Sequence, residues 1–527
     1  MKKETMKRVM TAGLALAVSA GILSGCGNDA GDGSTAKLTM WCVNYVNKYV
    51  TNYGDIEAFQ ELQKNAGVEV EYQHPVAGQE AEQFNLLMAS GNLPDIVEAD
   101  WTSRYTGGLE KAISDGIIVP IEDYLDKAPN YRKLLEENPE LEKGTKSTDG
   151  KQLIFHSLKE DIKINSYTGP QIRKDWLDKL GLPVPTTIDE WHTTLTAFKE
   201  QDPNGNGLAD EIPLADDKTM AFRHFAAAWG CIKGEFYENA RGEFVYGSIE
   251  PEYKAFLEEM HKWYEEGLID PEFASITRKN VDANMTTDIS GAFVGLLGSQ
   301  MGNYIAAMRG SDSDYELLGT PWPIGPANKP YCATPGVVRL TVYGSGAAIT
   351  KNCKDIDSAM KYLDYCYSDE AYDLQNWGIE GVTYNKTDDG SYQYTDLILN
   401  NPDGKGTVEA MAPYAVPAYG GTKMMDSTAY VAFMHNEPAQ KEASATWASG
   451  DNSLLLPSYS YTAEEARTIS NIMGDITTYE DEMFTKMIIG TVSIDEFDNY
   501  VAKIKELGIE EAIALHKQAY ERYMGNE

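Results

Sequence analysis

Positive charge is in short supply in this chain. Lysine and arginine together number 45 against 81 aspartates and glutamates, giving a formal net charge of −36 at pH 7. A phosphate backbone would be repelled by such a surface, so nucleic acid is excluded as a partner. A polyanionic ligand would need a local basic pocket or a bound cation. Histidine is scarce as well, with 7 in 527 residues and none at a metal-ligand spacing. The six cysteines (Cys26, Cys42, Cys231, Cys332, Cys353 and Cys366) include no C-x-x-C pair, which removes zinc ribbons and thioredoxin-type motifs. G-x-S-x-G, H-E-x-x-H and P-loop motifs are all missing. Beyond the N-terminal segment there is no apolar run of the length a membrane span requires, about 20 residues.

What is present is core-forming material: 42% hydrophobic and 10% aromatic residues, enough for two large lobes or roughly three units of about 150 residues each. The first residues have the form of an export signal. Lys2, Lys3, Lys7 and Arg8 precede an apolar stretch over 9–23, which ends in Leu23-Ser24-Gly25-Cys26. That tetrapeptide resembles a bacterial lipobox. The resemblance implies a signal peptide over 1–25, lipidation of Cys26, and attachment to the cell membrane on its extracellular face. The Gly/Asp/Ser-rich stretch 26–36 suits a flexible tether. With Cys26 lipidated an odd number of thiols is left, and these are expected to be mostly buried and inert, although an exported protein could form one disulfide.

The mature chain opens with a β-α-β-α-β order. A buried strand is expected over 37–43 and a helix over 55–63 with Phe59 and Leu62 on one face. Alternation of Val68, Val70 and Tyr72 with Glu69 and Glu71 marks a second strand. Phe84, Leu87 and Met88 mark a second helix face, and 95–98 reads as a third strand. Such an α/β lobe binds ligands beyond the carboxyl ends of its parallel strands. Thr187-Ile188-Asp189-Glu190 is a capping box that opens a helix with the stripe Ile188, Trp191, Leu195 and Phe198. Ser493-Ile494-Asp495-Glu496 reads as another, and the chain from 463 onward is almost wholly helical in pattern.

Five segments, in order, carry a family resemblance: Gly91-Asn92-Leu93-Pro94-Asp95-Ile96; Ile172-Arg173-Lys174-Asp175-Trp176-Leu177 running on to Pro185-Thr186-Thr187; Asp202-Pro203-Asn204-Gly205-Asn206-Gly207; Glu266-Gly267-Leu268-Ile269-Asp270-Pro271-Glu272-Phe273; and Gly378-Ile379-Glu380-Gly381-Val382-Thr383-Tyr384. Together they resemble the extracellular solute-binding lipoproteins of bacterial ABC importers for carbohydrates, in particular the large branch that includes alginate-oligosaccharide binders. The resemblance implies a two-lobed α/β fold of the periplasmic-binding-protein type, a ligand cleft between the lobes and a helical C-terminal region. It also implies a monomer that delivers an oligosaccharide to the transmembrane subunits of an ABC permease. Lobe one is expected over 37–165 and 310–385, lobe two over 166–309 and 386–527.

One motif can be read as chemistry. From Asp202 onward, oxygen side chains recur at positions 1, 3 and 5 (Asp202, Asn204, Asn206), with glycine at position 6 and the Leu208 carbonyl at position 7. These are the opening elements of a loop for one structural Ca²⁺, which takes six to eight oxygens on a tightly curled backbone. Position 12 is Pro213 rather than the bidentate Glu of an EF-hand, so Asp210 and Glu211 are the natural replacements; calcium in this loop of the related alginate binders supports that substitution. A plain Asn-Gly turn is the alternative.

Sugars combine apolar C–H faces with hydroxyl rims, so aromatic platforms beside hydrogen-bonding side chains are the candidates for ligand contact. Trp176, Trp191 and Trp263 lie on amphipathic helix patterns and belong to the core. Trp41 with Asn44, and Asp100 with Trp101, follow strand ends. Trp229 lies after an alanine run, and Trp377, Glu380 and Tyr384 surround a Gly-Ile-Glu-Gly turn. A secreted glycoside hydrolase or polysaccharide lyase, using two cleft carboxylates, is the competing reading, as is a binder of peptides or other solutes on the same scaffold. The missing catalytic motifs favour a protein that is not an enzyme.

Overall fold

The computed structural model describes residues 36–216, 222–310, 314–418 and 421–525. The export signal, Cys26 and most of the tether lie outside the described residues. Two sheets organise the chain, each with its own core.

The first sheet holds seven strands in the order Met424–Met425, Phe155–Lys159, Thr341–Thr350, Ile96–Asp100, Ala36–Trp41, Val68–Gln73, with Ile118–Val119 pairing on Thr341–Thr350. Ala36–Trp41 runs parallel to both Val68–Gln73 and Ile96–Asp100. The expected alternation in Val68–Gln73 is realised residue by residue, valines and tyrosine inward and glutamates outward, because a strand's side chains have period two. The intervening helices Glu57–Ala66 and Glu80–Ser90 cover the sheet. Thr341–Thr350 enters antiparallel beside Ile96–Asp100 and completes the centre.

The second sheet has four strands in the order Leu317–Gly319, Thr168–Arg173, Ser290–Leu296, Ile212–Leu214. Every residue of Thr168–Arg173 is buried, as befits a strand covered on both faces. Trp176, Trp191 and Trp263 sit in the core around this sheet, together with Ile476, Phe484, Phe497 and Tyr500 from the C-terminal helices. The Thr187–Glu190 box forms in both directions: the Thr187 hydroxyl accepts from the Glu190 N–H at 3.2 Å and the Glu190 carboxylate from the Thr187 N–H at 3.1 Å. The second expected box does not close. Ser493 accepts instead from the Asp495 N–H at 3.2 Å, which tightens 494–496 into a 3₁₀ turn before the helix Phe497–Glu506. Gly508, at φ 102°, then separates that helix from Ile509–Met524, a backbone position that disfavours a side chain.

Strand pairing moves the lobe boundaries read from sequence. Leu317–Gly319 pairs antiparallel with Thr168–Arg173 and so stands in the second sheet, not the first. Met424–Met425 pairs parallel with Phe155–Lys159, and Trp377, Tyr384, Tyr394 and Phe433 share one cluster, so the segment up to about 434 stays with the first sheet. The chain therefore crosses between the lobes three times: after Phe155–Lys159, before Thr341–Thr350, and between the helices Ser427–Met434 and Pro438–Ala448. All five described cysteines are buried and unpaired. Burial pushes the Cys42, Cys231 and Cys366 thiols up, so they stay protonated. Among the described residues no helix is long and apolar enough to cross a membrane.

Candidate functional site

Parallel strands of one direction deliver their following loops to one end of a sheet. At that end of the first sheet Asp100 closes Ile96–Asp100, and its carboxylate accepts from the Ser103 N–H at 3.2 Å, starting the short helix Trp101–Arg104. Asp100, Thr102 and Ser103 form one side of a recess of about 680 Å³. The facing side comes from the other lobe: Glu235 and Phe236, the loop 456–461, and His516 of the helix Ile509–Met524. Arg339, on a chain crossing between the lobes, also lines it. A second recess, about 480 Å³, shares Asp100 and is lined by Tyr45, Glu98, Arg104, Ser157 and Ser345 from the strand ends of the first sheet.

The far wall is largely aromatic. The His516 ring stacks on Phe236 with centroids 3.7 Å apart, and the Tyr461 and Tyr459 hydroxyls lie 2.9 and 3.2 Å from its Nδ1. Burial, with the nearby Arg339 charge, pulls the His516 imidazole down to about 3, so it remains uncharged. Burial also raises the Glu235 carboxyl, opposed by Arg223 at 3.6 Å and by Arg339. On the first-sheet side burial raises Glu98, which accepts from the Thr422 N–H at 2.9 Å and its hydroxyl at 2.7 Å. Behind it Lys423 donates to the carbonyls of Val416 and Pro417 at 2.8 and 3.0 Å, and burial pulls its ammonium down to about 7.

The residues singled out from sequence fall into separate places. Asp100 lines both recesses. Asn44 is buried and holds the loop beside it: it accepts from the Val46 N–H at 2.9 Å and donates to the Val50 carbonyl at 2.8 Å. That loop carries Tyr45, 47% exposed at the recess mouth. Trp41 and Trp101 both pack edge-on against Phe84, at 5.9 and 5.6 Å. Trp101 is 0% exposed, so its indole supports the recess from behind and presents no platform to it. Trp229 packs on Phe256 in the second core. Trp377 donates to Asp426 at 2.8 Å and clusters with Tyr384 and Tyr394. Glu380 is exposed, with Lys386 at 3.5 Å, beside a different surface depression shared with Glu57, Glu61 and Asp373. The wall residues Phe236, Arg339, Tyr459, Tyr461 and His516 had one sequence signal, the aromatic alternation in Pro457-Ser458-Tyr459-Ser460-Tyr461.

The loop at Asp202 is curled as a cation loop requires. Asp202 (φ 45°), Gly205 (φ 72°) and Gly207 (φ 77°) take left-handed backbone. One Asp202 oxygen accepts from the Gly207 N–H at 3.1 Å, Asn204 from the Asn206 N–H at 3.0 Å and Asn206 from the Leu208 N–H at 2.7 Å; Asn206 donates to Asp210 at 3.0 Å. Asp202 Oδ1 and Glu211 Oε1 are enclosed with no hydrogen-bond partner. Burial first, then the Asp202 and Asp210 charges, raise the Glu211 carboxyl. Among the described residues no three acidic, histidine or cysteine side chains converge as a metal cluster. The loop offers instead a mixed set of carboxylate, amide and carbonyl oxygens with two orphaned carboxylate oxygens. That set fits Ca²⁺.

Comparison with known proteins agrees with this architecture. The profile of the bacterial extracellular solute-binding proteins matches residues 51–373. The fructooligosaccharide ABC transporter substrate-binding protein FusA of Streptococcus pneumoniae is 27% identical over 501 residues, covering 89% of this chain and 87% of that one. The polygalacturonan/rhamnogalacturonan-binding protein YtcQ of Bacillus subtilis is 25% identical over 529 residues, covering 98% and 99%. Among solved structures, a FusA EF-hand mutant in complex with fructo-nystose superposes with a TM-score of 0.70 at 22% identity, covering 93% of this chain and 100% of that one. The alginate-binding protein AlgQ2 without calcium ion gives 0.69 at 22% identity, covering 92% and 98%.

Proposed function

The chain belongs to the bacterial extracellular solute-binding proteins, and from that premise we propose that it captures an oligosaccharide between its two lobes and delivers it to the transmembrane subunits of an ABC permease. The observation that carries this reading is the recess itself. Asp100, Thr102 and Ser103 supply hydrogen-bonding groups from one lobe, and Phe236, Tyr459 and Tyr461 supply aromatic surface from the other. Neither wall alone encloses a sugar. Closure would desolvate both faces and complete the hydrogen bonds, so ligand selects the closed form, and a permease can tell loaded protein from empty by shape. The ligands in the relatives' names, fructooligosaccharide for FusA and polygalacturonan/rhamnogalacturonan for YtcQ, support a carbohydrate.

In the same reading the Asp202 loop holds one structural Ca²⁺ through Asp202, Asn204, Asn206, Leu208, Asp210 and Glu211, and Cys26 carries the lipid that keeps the protein at the cell surface. Two acyl chains suffice for stable anchoring. The test is calorimetry of the purified protein with neutral and acidic oligosaccharides beside a peptide panel, with each mixture then checked for turnover. Saturable one-to-one sugar binding without product is expected. Hydrolysis or lyase cleavage of any glycan, or tight binding of peptides alone, would refute it.

A further inference from the structure

Most guanidinium groups among the described residues are committed to carboxylates, as 81 acidic residues would lead one to expect. Arg173 lies between Asp175 and Asp288, Arg522 on Glu465, Arg241 on Glu243, Glu250 and Glu252. Arg132, Arg223, Arg278 and Arg309 are paired as well. Among the described residues three arginines stand outside this pattern: Arg467, which is exposed on a helix surface, and Arg104 and Arg339, which line the two recesses of the cleft. Arg339 is only partly exposed, and its Nε is enclosed with no hydrogen-bond partner.

The carboxylates near them form no ion pair with them. Glu98 takes two hydrogen bonds from Thr422 and feels Lys423, Glu235 faces Arg223 as well as the Arg339 charge, and Glu80 feels Arg104 without pairing with it. His516 is neutral. Asp100 itself accepts from the Ser103 N–H, and neither Arg339 nor Arg104 forms an ion pair among the described residues. A protein with a charge of −36 thus still places two of its few guanidiniums in the cleft, outside any ion pair among the described residues. A guanidinium with an enclosed, unpartnered Nε in a partly closed site is costly unless an acceptor arrives, and its planar fork matches a carboxylate in two-point contact.

We propose that the captured ligand is a uronate-containing oligosaccharide whose carboxylates are met by Arg339 and Arg104. The proposal rests on the oligosaccharide-binding reading above and narrows it. The two relatives differ in the charge of the ligands they are named for, so likeness alone does not choose between them. The unpaired cleft arginines do.

The experiment is calorimetry of the intact soluble protein at two salt concentrations. The probes are oligogalacturonides, glucuronate-containing oligosaccharides and mannuronate/guluronate oligosaccharides, with the methyl ester of each best binder as its neutral counterpart and fructooligosaccharides as a second neutral class. An acidic oligosaccharide is expected to bind at least tenfold more tightly than its methyl ester, with a preference that shrinks as salt rises. Arg339→Gln should abolish most of that preference, and Arg104→Gln should reduce it. Arg104 lies on a surface helix, so its variant tests the idea even if Arg339→Gln folds poorly. If esters or fructooligosaccharides bind as tightly as the acids, the uronate proposal is overturned while the oligosaccharide reading stands. If no sugar of either class binds, both fall.

Discussion

Removing calcium, or the Asp202 carboxylate, should cost the protein stability in a way that depends on both metal and pH. The loop leaves Asp202 Oδ1 and Glu211 Oε1 enclosed without partners, and an enclosed acceptor left unmade costs about 1–3 kcal/mol. A cation that satisfies both also relieves the repulsion among Asp202, Asp210 and Glu211. At a calcium concentration about 100 times the dissociation constant, linkage gives about 2.7 kcal/mol; for an unfolding unit of roughly 150–250 residues that corresponds to about 5–10 °C in Tm. The assay is calorimetric or fluorescence melting of metal-stripped protein, with and without calcium, followed by chelator. Asp202→Asn keeps the loop's size but should lose most of the response. In the metal-free protein the folded-state pKa of Glu211 lies above its ordinary value. The folded state then holds more protons than the unfolded one between those two values, and stability falls as pH rises through that window. The calcium-dependent difference should therefore be largest above the window and fade on acidification. Equal melting of stripped and reloaded protein at neutral pH would refute the reasoning.

Three further outcomes follow from the packing around the cleft. Trp101→Ala should destabilise by about 3–5 kcal/mol, the range for deleting a buried aromatic, whereas Trp101→Phe should leave sugar affinity within twofold; a large affinity loss in a stable Phe variant would show that the indole reaches the ligand. Tyr45→Ala removes an exposed ring at the recess mouth and should weaken binding by about 1 kcal/mol with Tm unchanged; unchanged calorimetric affinity would count against its place in the site. Gly346→Ala would place a Cβ 2.0 Å from the Phe155 carbonyl oxygen at φ 154°, breaking the centre of the first sheet, and should abolish soluble expression or cost about 3 kcal/mol.

Much of this fold is written locally. Val68 to Tyr72 alternates because one face is buried, and Trp191 and Phe198 share a helix stripe opened by a capping box; such features need only a short window of sequence. The curl of the Asp202 loop is legible for the same reason, since its oxygens and glycines are neighbours. The cleft is not of that kind. Trp101 follows a strand end, the right place for a contact, yet the cap formed by Asp100 starts a helical turn that packs the indole against Phe84. Trp377 and Tyr384 go to a cluster with Tyr394 and Phe433 that forms only when the segment beyond residue 385 returns to the first sheet. Arg339, Tyr459 and His516 meet Asp100 only through the pairing of distant segments, and no periodicity marks Arg339 or His516.

The central claim is that a sugar is held between lobes that close on it. Small-angle scattering of the calcium-loaded protein, titrated with the tightest oligosaccharide found by calorimetry, tests this most directly. The account predicts a radius of gyration that falls and saturates at one equivalent, with the bound sugar recovered intact. Saturation by calorimetry with an unchanged radius, or recovery of a cleaved sugar, would contradict it.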